Sequence, residues 1–192
     1  MAMNPMTRNL LIAVAILAVL FGAYYLTTTT RVGSTPDPTK PLVFSTPMSP
    51  DIQKAYQDQF AAVAATLTND PTNLSAWVSL GTFHKIAGNY REAQKIWEFV
   101  VATDPKNYIA FNNLGDLYMN FLKDYPKAEK NFRAVVTLDP SYIDTYRNLY
   151  TLYRYLYKTN TSAAADILKE GLKNNPNNSD LLQLEAELKA AK

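Results

Sequence analysis

The sequence predicts an all-α solenoid of paired helices, preceded by a single apolar segment long enough to cross a bilayer. Three observations carry this reading. Pro71, Pro105, Pro140 and Pro176 recur at intervals of 34, 35 and 36 residues. Between them the same residue types return at the same places. Near the start, Leu10 to Leu26 is a run of 17 residues without a charge. A period near 34 residues marks a helical repeat array, whose units hide their apolar faces against one another.

Each interval reads as two helical patterns around a short polar turn. The first holds Trp77, Leu80, Gly81 and His84, then Tyr90, Ala93, Trp97 and Val100. The second holds Phe111, Leu114, Gly115 and Tyr118, then Ala128, Phe132 and Val135. The third holds Tyr146, Leu149, Tyr150 and Tyr153, then Ala164, Leu168 and Gly171. Gly88-Asn89, Lys123-Asp124 and Lys158-Thr159-Asn160 break the three units. A large residue, a leucine and a small residue at i, i+3 and i+4 put two bulky groups and one gap on one helix face. The gap admits the partner helix, and Ala93, Ala128 and Ala164 supply its matching small site. Proline then ends the second helix, because it cannot continue the hydrogen-bond ladder and restricts the residue before it. In the third unit Tyr150 stands where the small residue belongs, which predicts a more widely spaced hairpin.

These motifs resemble the tetratricopeptide repeat family over residues 74–178. The resemblance implies three hairpin repeats, at 74–107, 108–142 and 143–178. It also implies a concave surface lined by the first helix of each repeat. By position that lining is Ser75, Val78, Thr82 and Lys85, then Ile109, Asn112, Asn113, Asp116 and Met119, then Asp144, Arg147, Thr151 and Arg154. Asn148 lies beside it. Amides, apolar groups and both charge signs suit a peptide, with amides on its backbone and charges selecting its ends. A merely solvated face fits the same residues. Some family members clamp a C-terminal carboxylate with lysine, arginine and asparagine. The matching positions here hold Val78 and Thr82, then Asn113, then Asp144 and Asn148, and only Asn113 agrees. That argues against a chaperone-tail ligand, while Arg147 and Arg154 suit an acidic peptide.

The flanks follow from the array's need for covered ends. Ile52, Tyr56, Phe60, Val63 and Leu67 share one helix face and predict a leading helix over 51–68. Leu181, Leu184 and Leu188 predict a capping helix over 179–191, started by Asn178 or Ser179. The helical domain therefore runs over 51–192, with eight helices.

Before it come a short tail at 1–9, the apolar segment at 10–26 and a tether at 27–50. The apolar segment just spans a bilayer core, and Tyr24 and Tyr25 sit where an interfacial belt would be. Small residues for a cleavage site fit poorly at Phe21-Gly22-Ala23, so an uncleaved anchor is favoured over a signal peptide. The short preceding tail favours a cytoplasmic N-terminus, with the repeats in a periplasm-like space. The tether holds five of the chain's eleven prolines, and its apolar island is Leu42-Val43-Phe44. That island reads either as a weakly docking segment or as an intrachain strand or plug.

Composition bounds the function. The stretch after Pro50 carries 16 Lys and Arg against 16 Asp and Glu, which argues against nucleic acid. With no cysteine there is no disulfide, thiol nucleophile or Cys-ligated metal. His84 is the only histidine and reads as a packed core-edge residue, with no second ligand for zinc. No phosphate-binding glycine loop or nucleophile elbow occurs, so an enzyme, a metal site and a cofactor are not expected. Tyr142, Tyr146, Tyr150, Tyr153 and Tyr157 form a stripe that suits core packing or, alternatively, a surface for homo-oligomers. The layout resembles bacterial membrane-anchored tetratricopeptide proteins that assist envelope assembly, secretion or cytochrome maturation. It implies a scaffold that binds another protein or peptide; a cleaved, soluble module is the alternative.

Overall fold

A computed structural model of the protein describes residues 34–45, 47–159 and 161–191. The architecture below is that of the unit Pro36–Lys192. The tail, the apolar segment at 10–26 and the first part of the tether lie outside the described residues. Among the described residues no helix is long and apolar enough to cross a membrane.

The described residues form helices and no strand. They are α1 (Pro50–Asn69), α2 (Leu74–Ile86), α3 (Tyr90–Thr103), α4 (Tyr108–Asp116), α5 (Tyr125–Leu138), α6 (Ile143–Thr151), α7 (Ala163–Asn174) and α8 (Ser179–Ala190). Two of them, α4 and α6, run on into a wider π turn, at Leu117–Phe121 and Leu152–Leu156. Helices α2 and α3, α4 and α5, and α6 and α7 form three successive hairpins, with α1 on the first and α8 on the last.

The junctions between hairpins are built by aspartate and asparagine. Asp70, Asp104 and Asp139 each close the preceding helix through the backbone N–H to a carbonyl four residues back, at 2.8 Å in all three. Each side chain then accepts from the N–H two residues on: Thr72, Lys106 and Ser141, at 3.0 Å each. The proline between them has no N–H to leave unpaired. Asn73 and Asn107 cap the next helices, accepting from Ala76 and Ala110 at 3.0 Å. Such a cap is worth about 1 kcal/mol against alanine.

Trp77 and Tyr146 take equivalent places in the core, while their counterpart Phe111 in the second unit is only half-buried. Trp77 Nε1 donates to the Pro71 carbonyl at 2.9 Å, and Tyr146 Oη donates to the Pro140 carbonyl at 3.0 Å. Both bonds span six residues, so two different aromatics satisfy their polar atoms on the same turn. Ala93, Trp97, Ala128, Phe132 and Leu168 are fully buried, and Ala164 nearly so. Along α1, Phe60, Ala64 and Leu67 are buried, whereas Ile52 stays half exposed. The α6–α7 hairpin is in looser contact than the two before it, as expected for the third unit.

The π turns account for one residue of the lengthening in each of the second and third units; the further residue of the third lies after Lys158. In the first unit the Ala87 N–H reaches the Phe83 carbonyl, four residues back, at 3.0 Å. In the second, Leu122 reaches back five residues to Leu117 at 2.9 Å; in the third, Tyr157 reaches back five to Leu152 at 2.7 Å. One extra residue is thus absorbed in each of α4 and α6 without breaking the helix. The turn that follows is left-handed in every unit: Gly88 at φ 85°, Lys123 at 56° and Lys158 at 60°.

One expectation needs correction. The tyrosine stripe is not a surface for homo-oligomers, because Tyr146, Tyr150 and Tyr153 are buried. Tyr142 and Tyr157 are half-buried at its two ends, and the exposed member of the group is Tyr155, which lies off the stripe.

Candidate functional site

A cleft of about 390 Å³ opens between α2, α4 and α6. Its lining is Lys85, Asn112, Asn113, Asp116, Tyr142, Asp144, Arg147, Asn148 and Thr151. Seven of the thirteen residues expected at the groove meet there. Asn148 joins them, as its position beside the groove suggested, and Tyr142 from the loop before α6 was not foreseen.

The other six fall elsewhere. Ser75 is exposed at the start of α2, and Val78 packs on the core. Thr82 turns its hydroxyl back to the Val78 carbonyl, at 3.1 Å. Ile109 is exposed beyond the cleft. Met119 is a correction: it is buried, because the π turn that begins at Leu117 rotates it off the face of Asp116. Arg154 lies in the corresponding π turn, half-exposed and outside the cleft lining, with its guanidinium 6.0 Å from the Tyr155 ring.

Charge in the cleft is balanced. Lys85 Nζ donates to Asp116 Oδ2 at 2.9 Å, joining the first hairpin to the second. Arg147 Nη1 donates to Asp144 at 3.3 Å and lies 3.9 Å from Asp180. Tyr142 keeps its proton well above the usual range, through burial first and then the nearby Asp144. The Oδ1 of Asn112 is buried and accepts no hydrogen bond. A buried acceptor without a partner carries a desolvation cost. Three amides, a phenol and paired charges present both donors and acceptors, which is the complement of a polypeptide main chain with polar side chains.

A second set of contacts lies at the turn between α2 and α3, where tether residues pass in extended form. The Asn89 amide takes both main-chain groups of Val43: Nδ2 donates to its carbonyl, and Oδ1 accepts from its N–H at 3.2 Å. Ser45 N–H donates to the Ala87 carbonyl at 2.8 Å. Lys40 pairs with Glu92, and Leu42 packs against the core. The tether is therefore not free along its length. Its ten residues from Pro36 to Ser45 belong to the folded unit. The apolar island was legible in the sequence; its main-chain partner, Asn89, was read only as a turn residue.

Residues 108–142 match the tetratricopeptide repeat. The matched stretch is the α4–α5 hairpin, which supplies Asn112, Asn113 and Asp116 to the cleft and Tyr142 at its end. No curated protein matches the chain. A tetratricopeptide repeat of this kind supports a module for protein–protein interaction. Among the described residues no group of three or more His, Cys, Asp or Glu side chains is placed to hold a metal ion.

Proposed function

We propose that the protein is a membrane-tethered adaptor that binds an extended segment of another protein in the cleft between α2, α4 and α6, without catalysing a reaction. The observation that carries this is the set of three amides, Asn112, Asn113 and Asn148, that line one cleft beside paired charges. An amide-lined trough holds a main chain in any sequence, while Lys85–Asp116 and Arg147–Asp144 choose among side chains. The apolar run Leu10–Leu26 supplies the anchor and places the repeats in a periplasm-like compartment. Tethering raises the local concentration of a bound partner at the bilayer.

A photoreactive residue at Thr151, exposed on the cleft rim, tests the binding. The expected product is a polypeptide crosslink that disappears in Asn112→Ala and Asn113→Ala. Recovery of lipid alone, or of nothing from a folded protein, overturns the reading. The mass of the mature N-terminus separates an anchored chain from a cleaved one.

A further inference from the structure

We propose that the turn between α2 and α3 is a second binding site, for an extended main chain, and that residues 40–45 of the same chain are its ligand, with His84 as the residue that positions Asn89. This site is distinct from the cleft: the two linings share no residue.

The turn is built differently from its two counterparts. Gly88 stands where Lys123 and Lys158 stand in the other units. A Cβ on Gly88 would lie 2.8 Å from Ser45 Cβ, so only glycine lets the strand pass. Asn89 stands where the second unit has Asp124, which lacks the N–H that holds the Val43 carbonyl. Asp124 instead caps its own helix, accepting from Lys127 at 3.2 Å. A strand merely passing by would not need both main-chain groups of one residue to be read by one amide.

His84 follows the same logic. Its counterparts reach back to the preceding hairpin: Tyr118 Oη donates to Glu98 at 2.7 Å, and Tyr153 Oη to Glu129 at 2.6 Å. His84 reaches forward, with Nδ1 3.4 Å from Asn89 Oδ1. Asn89 Nδ2 is committed to the Val43 carbonyl, so Oδ1 faces the imidazole. Only the Nδ1–H form of the ring can donate to it. The imidazole thereby fixes which way the amide points. The occupant's chemistry follows from the contacts: a cation for Glu92, an aliphatic side chain two residues on, then the paired residue, then a small residue against Gly88. Lys40, Leu42, Val43 and Ser45 supply these in order.

The test is amide hydrogen exchange on the full chain, followed by NMR at Val43 and Ser45 with Leu80 as the fold control. Both strap amides are expected to exchange more slowly than unstructured amides. Asn89→Ala should speed exchange at Val43 about tenfold, and His84→Phe about two- to tenfold, with Leu80 unchanged. His84→Gln retains a donor and should restore part of the protection, which a purely space-filling role for His84 would not predict. Val43→Pro deletes one strap donor outside any helix. A synthetic peptide of residues 38–47 added to that variant should shift the Gly88 and Asn89 amides, and should not do so when Asn89→Ala is added. Unprotected Val43 and Ser45 in a folded wild type, or a peptide that shifts neither amide, overturns the site. Protection lost in Asn89→Ala but unchanged in His84→Phe overturns the positioning role.

Discussion

A methyl group on Gly81 would stand 2.7 Å from Cε2 of Trp97. The indole is fully buried and anchored by its Nε1, which donates to the Val78 carbonyl at 3.1 Å, so it cannot swing aside. Gly115 faces Phe132 in the same way, with a Cβ at 2.5 Å from Cδ1. In an exposed helix interior, Gly→Ala would stabilise by about 1 kcal/mol. Here overpacking, at about 1–3 kcal/mol, should win. Gly81→Ala and Gly115→Ala are each expected to lower the urea midpoint. A rise in either midpoint would show that the hairpins do not approach as closely as the glycines allow.

Asn112 should separate binding from stability. Its Oδ1 is buried and accepts no bond, so truncation leaves no stranded partner on that atom. Alanine also has the higher helix propensity, by up to about 0.7 kcal/mol. Asn112→Ala is therefore expected to be neutral or slightly stabilising in thermal unfolding while it abolishes the cleft crosslink. A loss above about 2 kcal/mol would mean that the amide is a structural group, and would remove the main argument for a ligand there.

The hairpins were legible because aromatic, leucine and small residues return at a near-fixed period, and burial follows those side chains. The drift of that period from 34 to 35 and 36 also held the signal for an extra residue in the first helix of the second and third hairpins, the third gaining one more after Lys158. Read as regular α-helix, it put Met119 on the cleft; absorbed as a π turn, it puts Met119 in the core. The strap was less legible for a different reason. Val43 and Asn89 are 46 residues apart, and the Asn89 amide reads only the main chain of Val43, which every residue carries and no side-chain pattern records. The side-chain marks of that contact were the lone histidine at a position otherwise held by tyrosine, and Gly88-Asn89 where the second unit has Lys123-Asp124.

The left-handed turns give a paired prediction. Lys123 and Lys158 both hold positive φ, at 56° and 60°, which costs a residue with a Cβ about 1–2 kcal/mol. Glycine removes that strain but loses about 0.5–1 kcal/mol of backbone entropy. Lys123→Gly should therefore change stability by between about 0 and 1.5 kcal/mol, in the stabilising direction. Lys158→Gly should gain less or lose, because Lys158 Nζ donates to Glu129 at 2.7 and 2.8 Å and lies 5.2 Å from the Tyr157 ring centre. The Glu129 pair is partly exposed and worth about 1 kcal/mol at most. Denaturant midpoints of the two variants check the difference, and an equal gain from both would show that the Lys158 contacts contribute nothing.

Acid should act first at the strap. Burial holds the His84 pKa below its ordinary value, against the opposing pull of Asn89 and Glu92, while Lys40 adds to the lowering. Phe60 closes the side facing α1 with its ring centre 5.6 Å from the imidazole, and Nε2 is buried without a partner. A folded-state pKa below the unfolded value favours the neutral ring. Its contribution to stability is then fully present above pH 6.5 and is lost as the pH falls from there through the lowered value. Glu92 carries a second loss at lower pH: burial raises its pKa, but Lys40, Lys95 and His84 together hold it below 4.5. Unfolding free energy measured between pH 7 and 5 should therefore decline in the wild type and stay flatter in His84→Phe. Protection at Val43 should decline over the same range. A wild-type profile that is level across that range, or one that His84→Phe reproduces, would show that the imidazole is not the group being charged.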